Sequence, residues 1–239
     1  MEFWQSIQLW WQGLCDQFTQ CFIEANRWEY ITDGLLVTLE VTFCAVLIGI
    51  VFGFLLAIVR TTHDKTGKLT LLNAIAHTYI TVIRGIPTTV QLMLFYFVIF
   101  AAVRIDPVPV AIIAFGINSS AYVAEIVRGG IMSIDAGQME AGRSLGLTYN
   151  QTMIHIILPQ VFKTVLPALA NEFIVLMKET SVSAFIGLNE LTRGGDIIRG
   201  ITYTDFMPLI AVALIYLVLV MILSRGVTIL ERRLRTSDH

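Results

Sequence analysis

Long uncharged runs broken by short polar stretches set the pattern of this chain. Leu35 to Val59 carries a single charge, Glu40, and exceeds the roughly 20 residues of helix that cross a hydrocarbon core at a 1.5 Å rise. It predicts a first span, in which Gly49 and Gly53 form a small-xxx-small pair suited to helix packing. After the charged stretch Arg60 to Lys68, Leu69 to Ile83 is apolar apart from His77. Arg84-Gly85-Ile86-Pro87 then interrupts it, because proline disfavours helix at the residue before it. A leading helix, a bend at Arg84 to Pro87 and a main body over Thr88 to Val103 are predicted for the second span. Pro107 and Pro109 suggest an external turn, followed by a third span over Val108 to Ala124. A fourth, over Gln160 to Met177, contains Lys163, Pro167, Asn171 and Glu172. Residues 178–204 read as a short re-entrant or extracytoplasmic segment. Phe206 to Ser224 is an uncharged fifth span, ending in a basic tail with Arg232, Arg233 and Arg235.

The first 33 residues differ. Trp4, Trp10, Trp11, Trp28, Phe18, Phe22 and Tyr30 are scattered among polar residues, the signature of a helix lying in the headgroup zone. The expected division is an interfacial amphipathic segment at 1–32 and a membrane domain at 33–235. Arg27 is the first basic residue, so a cleavable leader with a basic start is not expected.

Composition agrees. Hydrophobic residues make up 56% and charged residues 14% of 239, with a mean hydropathy of +0.73, far beyond the soluble average. The net charge of −2 and the absence of a long basic block give no ground for a nucleic-acid partner. Three cysteines, Cys15, Cys21 and Cys44, make no disulfide framework. With the tail in the cytoplasm, five spans put Arg60, Lys65, Lys68, Arg128, Arg143, Lys163 and the tail arginines inside, and few basic residues outside. That asymmetry favours an outer N-terminus and an inner C-terminus.

Between the third and fourth spans lies a polar, small-residue island, Asp135 to Pro159. Asp135 with Gln138, and Thr148 with Gln151, have the spacing of capping boxes, so two short helices should follow one another. Gly146 suits the end of the first, and Pro159 is expected to break the second. Ala141, Gly142 and Gly146 give a low-relief surface, with Met139, Leu145, Met153 and Ile156 as apolar anchors. On the third span, Asn118, Tyr122, Glu125 and Gly129 share one helical face, a polar stripe that should avoid lipid.

Glu140, Ala141, Gly142, Gly146, Ile156, Leu158 and Pro159 resemble in spacing the "EAA" loop of ABC-importer permeases, with Gly142 where alanine is usual. Ile83 to Leu92, the Asn118 stripe, Asn171-Glu172-Phe173-Ile174 and Lys178-Glu179-Thr180-Ser181 are similar to segments of the polar amino-acid importer class. The resemblance implies an all-α integral membrane protein of the type I importer kind, with about five spans and a cytoplasmic coupling helix. It implies a bacterial inner-membrane location and docking of an ATPase through residues 133–159, on Glu140, Ala141, Gly142, Ser144, Leu145 and Gly146. It further implies two ATP-binding-cassette subunits carrying ATP and Mg, a second permease subunit, identical or homologous, and an extracytoplasmic amino-acid-binding protein.

The chain itself carries no G-x-x-x-x-G-K-[ST] loop; its one Gly-Lys pair, Gly67-Lys68, is followed by Leu69. H-E-x-x-H does not occur, and His63, His77, His155 and His239 are scattered without metal spacing, so no enzyme active site and no cofactor are expected. Glu172 and Asn171, with Asn118 and Tyr122, are the candidate lining of a solute pathway, since a carboxylate and amides can partner an ammonium taken from water. The alternative for Glu172 is a bond to a neighbouring helix or to Arg84. A secondary amino-acid transporter is the competing function; it would share broken helices and buried carboxylates but have no use for a docking loop.

Overall fold

The computed structural model describes residues 2–235 and, among them, is helical with no strand. Helix α1, Glu2–Phe18, ends in a π turn and a tight 3-10 turn in which Ala25 and Asn26 take positive φ of 51° and 54°. Helix α2 starts there, at Trp28, and runs unbroken to Thr66. The first span therefore begins seven residues before Leu35, and Trp28 and Tyr30 sit on its first turns rather than in a separate segment. Gly67, at φ 67°, ends it.

Helix α3, Thr70–Gly85, and helix α4, Thr88–Leu94, which runs into a π turn at Phe95–Ile99, meet at Pro87 with a bend of 105°. The expected main body through Val103 is a short limb that stops at Ile99. The bend was legible from Pro87; its size depends on partners described below. Helix α5, Pro107–Met132, starts on the two prolines instead of following them as a turn. Pro107 occupies the first turn, where its missing N–H has no helical partner to lose.

Helices α6, Ala136–Ser144, and α7, Tyr149–Thr152, form the elbow. Helix α8, Leu158–Glu179, follows α7 through a π turn at Met153–Ile157 and passes into a 3-10 turn at Thr180–Ile186. Pro159 was expected to break this helix, and it does not: Tyr149 to Ile186 forms one span. The π turn widens the ladder just before the proline, so the ring is taken in without a break in the span. Helix α9, Leu191–Thr202, precedes α10, Phe206–Arg235. The side chain of Arg235 lies outside the described residues.

Among the described residues, four helices are long and apolar enough to cross a membrane, and the bent α3–α4 pair makes a fifth if it counts as one span. Helix α5 is the hub. It lies parallel to α2 and touches it through glycines: a Cβ on Gly49 would stand 2.6 Å from Ser119 Oγ, and one on Gly53 2.6 Å from Val123 Cβ. The small-xxx-small pair thus packs within the chain. At the far end of α2, Gly34 meets the Glu190 carbonyl and Gly194 of α9 meets the Tyr30 carbonyl. Cores of Val41, Phe115 and Leu176, and of Val123, Val161 and Val165, fill the bundle. Leu36, Phe43, Leu47, Val51 and most of α10 remain exposed, as helices bathed in lipid tails would be.

Candidate functional site

The elbow is built by local chemistry. Asp135 caps α6, its side chain accepting from Gly137 N at 2.6 Å; the expected reciprocal bond with Gln138 is replaced by this shorter reach. Thr148 and Gln151 form a complete capping box at α7. Gly146, at φ 85°, closes α6 with Leu147 N donating to the Gly142 carbonyl and Gly146 N to that of Arg143, the left-handed closure that favours glycine.

The two faces of α6 differ. Glu140, Ala141, Ser144, Leu145 and Gly146 are exposed, Leu145 at 81%. Gly142 is buried, contrary to its expected place on the docking face. Its missing Cβ makes room for Thr152, whose Cγ2 would stand 2.4 Å from a Cβ there, and for Ile156. Met139 and Met153 also turn inward, onto Val127, Ile157 and Val161. Of the four expected anchors, only Leu145 is presented outward, and Ile154 at 58% and Tyr149 at 37% join it. Glycine at 142 therefore lets α6 close directly onto Thr152 and Ile156.

The polar candidates on α5 and α8 fall into two separate clusters. Asn118 on α5 is buried and donates to Gln91 Oε1 at 3.2 Å. Gln91 in turn donates to the Ile83 and Ile86 carbonyls at 2.6 and 2.7 Å, satisfying the groups that Pro87 frees. Tyr122 lies under the Arg84 guanidinium, 5.3 Å from its ring centroid. One turn on, Glu125 pairs with Arg128 at 3.1 Å and reaches Arg84 at 3.8 Å, while Arg128 reaches Asp64 of α2 at 3.8 Å. The stripe from Asn118 to Glu125 thus faces the α3–α4 corner. Gly129 is exposed, with open space around it.

Glu172 belongs to the other cluster. Half-buried, it accepts from Ser119 at 3.1 Å, and Glu179, two turns along α8, accepts from Thr88 of α4 at 3.4 Å. Asn171 is exposed and turned away from Glu172. The four pathway candidates therefore do not converge. Gln91, Ser119 and Thr88 went unpredicted because single neutral polar residues inside uncharged runs carry no periodic signal.

A model of the binding-protein-dependent transport system inner membrane component matches residues 49–236, from the middle of α2 through the elbow to the tail. The chain belongs to this family. The permease is 38% identical over 211 residues to the arginine transport system permease protein ArtQ of Bacillus subtilis (strain 168), covering 87% of this chain and 94% of ArtQ. It is 34% identical to the L-cystine transport system permease protein TcyB of the same strain, over 89% of each. A chain of an amino acid ABC transporter crystallised with histidines, 42% identical, superimposes with a TM-score of 0.80 over 86% of the permease and 94% of that chain. The MetNI methionine ABC transporter in its inward-facing conformation, 21% identical, shares the fold at a TM-score of 0.69 over 90% of the permease.

Proposed function

We propose that this permease is the membrane subunit of an ATP-driven amino-acid importer and that its elbow is the point a separate ATPase grips. The observation that carries the reading is the division of the elbow. One side is packed, Gly142 against Thr152 and Ile156 and Met139 and Met153 against the bundle, and the other offers Leu145 almost wholly to solvent. Such an apolar side chain on a capped, rigid projection suits insertion into another protein's groove. The relatives, named for arginine and cystine transport, support the substrate class. ATP and Mg belong to the partner. Two permeases, two ATPases and an external binding protein complete the assembly, with the elbow and C-terminus in the cytoplasm and the N-terminus outside. α1, with Trp4, Trp10 and Trp11 exposed, rests in the outer headgroup zone.

Burying Leu145 is worth about 2 kcal/mol, so Leu145→Glu is expected to weaken ATPase capture by well over tenfold, leaving the isolated permease as stable as before. Co-purification at wild-type stoichiometry would remove the elbow from the interface. Along the pathway, Glu172 partners the ammonium of the passing amino acid. Glu172→Gln is then expected to raise the half-saturating substrate concentration with folded protein retained; unaltered transport kinetics would leave Glu172 as a bond to Ser119 alone.

A further inference from the structure

Between α2, α3 and α5 lies a cavity of about 460 Å³ that the transport reading does not use. Its lining carries Arg60, His77, Thr81, Arg84, Glu125 and Arg128, and Asp64 joins them through Arg128 at 3.8 Å. Positive charge is in excess. Among the described residues, three guanidinium groups meet two carboxylates, and both carboxylates are drawn to Arg128, which holds Glu125 through Nε at 3.3 Å and Nη2 at 3.1 Å. The other two arginines are left with little. Arg84 stands 3.8 Å from Glu125, beyond hydrogen-bond reach, and lies over the Tyr122 ring. Arg60 donates at 3.3 Å to the neutral Asn73 amide, and its Nε is buried with no hydrogen-bond partner. A donor on a charged group that is left unfilled away from water is costly, and an oxyanion is the acceptor that fills it best.

Depth narrows the choice of anion. Arg60 follows directly on the apolar run Leu35 to Val59, and Glu125 ends the uncharged run Val108 to Ala124. Arg60 lies six residues, about 9 Å, before the end of α2, and Arg128 four residues, about 6 Å, before the end of α5, with the elbow just beyond. The cleft therefore sits where hydrocarbon gives way to headgroups on the elbow side, the level of lipid phosphates. His77 and Thr81 are exposed on α3, so the rim opens toward that layer and the Thr81 hydroxyl adds a donor. Apart from Ile80 and Gly85 the lining is polar or charged, so the group recognised is a charged one.

We infer that this cleft binds a phosphate group, held between Arg60 and Arg84 with the Thr81 hydroxyl at its rim. Arginine suits the task, because its planar fork meets two phosphate oxygens at once. Two sources offer this chemistry at this level: the headgroup of an acidic phospholipid, which basic pockets between membrane helices recognise, and free phosphate in the water on the elbow side. The site is distinct from the elbow and from Glu172, and its occupancy does not depend on which solute is carried.

The test is a titration of the detergent-solubilised, full-length permease at matched ionic strength, followed by its thermal midpoint, which rises when a ligand binds the folded state. The probes are short-chain phosphatidylglycerol, short-chain phosphatidylcholine, inorganic phosphate and L-arginine. A saturable rise with phosphatidylglycerol and none with phosphatidylcholine identifies a lipid headgroup; a rise with inorganic phosphate identifies the free anion. Arg60→Gln, which keeps a donor for Asn73, and Arg84→Gln are each expected to raise the half-saturating concentration about fivefold, the worth of one basic residue near a membrane surface, and Arg60→Lys to keep most of the affinity. Thr81→Glu, at an exposed position, brings a like charge to the rim and is expected to abolish the rise with the fold intact, which keeps the test decisive if Arg60→Gln fails to fold. No rise beyond that given by phosphatidylcholine, or an unchanged rise in the charge variants, overturns the inference. So does an Arg60-dependent rise with L-arginine, since that assigns the cleft to the transported solute.

Discussion

Replacing Gly142 by alanine would add one methyl group to the tightest contact in the elbow. The new Cβ would stand 2.4 Å from Thr152 Cγ2 and 2.8 Å from its Oγ1, where ordinary contact begins at 3.4 Å, so the two elements must part by about 1 Å. Thr152 has little freedom to yield. It is fully buried, its Oγ1 is bonded to the Thr148 carbonyl at 3.1 Å, and a β-branched side chain in a helix has few rotamers. Overpacking of this kind costs about 1–3 kcal/mol, offset by about 1 kcal/mol of helix propensity gained on leaving glycine. The net is about 0–2 kcal/mol, concentrated on the α6–α7 contact. Thr152→Ser removes the clashing methyl and keeps the hydroxyl bond, so Gly142→Ala/Thr152→Ser should recover most of the loss. The assay is a double-mutant cycle read twice, as the thermal midpoint of the solubilised permease and as ATPase co-purification. A positive coupling energy and partial rescue of capture are expected. A coupling energy of zero between the two positions, or a double variant no better than the single one, would show that this contact does not hold the elbow.

Other perturbations test different joints. Gly194→Ala puts a Cβ 2.2 Å from the Tyr30 carbonyl, a backbone atom that cannot rotate aside. It should lower the thermal midpoint by the equivalent of about 1–3 kcal/mol, whereas Gly200→Ala on the same helix, with open space around it, should leave it unchanged or raised; equal effects at the two positions would refute the close α2–α9 contact. Glu190 caps α9, accepting from Thr192 N at 2.8 Å and Arg193 N at 2.7 Å, and burial pushes its carboxyl above the usual range. A carboxyl raised in the folded state binds its proton more tightly there than when unfolded. Its stabilising share is complete below the unfolded value and fades as pH climbs through the folded one. The midpoint of the wild type relative to Glu190→Gln should therefore fall between acid and neutral pH; a relative rise would mean that the α9 amides hold the carboxylate ionised.

The spans were legible because hydrocarbon imposes a length that any apolar run either meets or fails. The elbow was legible because Thr148, Gln151 and Gly146 carry backbone chemistry at fixed spacings. What stayed hidden depends on partners distant in sequence. Gly142 is interchangeable with alanine until Thr152 is known to lie against it. Pro159 signals a stop, but the π turn absorbs its effect. Ala25 gives no hint of a left-handed backbone, so the true start of α2 at Trp28 could not be placed. Glu172 and Asn171 are neighbours in the chain and diverge in space, because one helical residue turns the side chain through about 100°.

The three bonds made by the Gln91 side chain bear on how the protein can move. They bolt the angle between α3 and α4 like a corner bracket, and straightening it would strand carbonyl groups where no water can reach them. Any stroke that carries solute must swing this right-angled piece as a unit, with its slack taken up outside the corner.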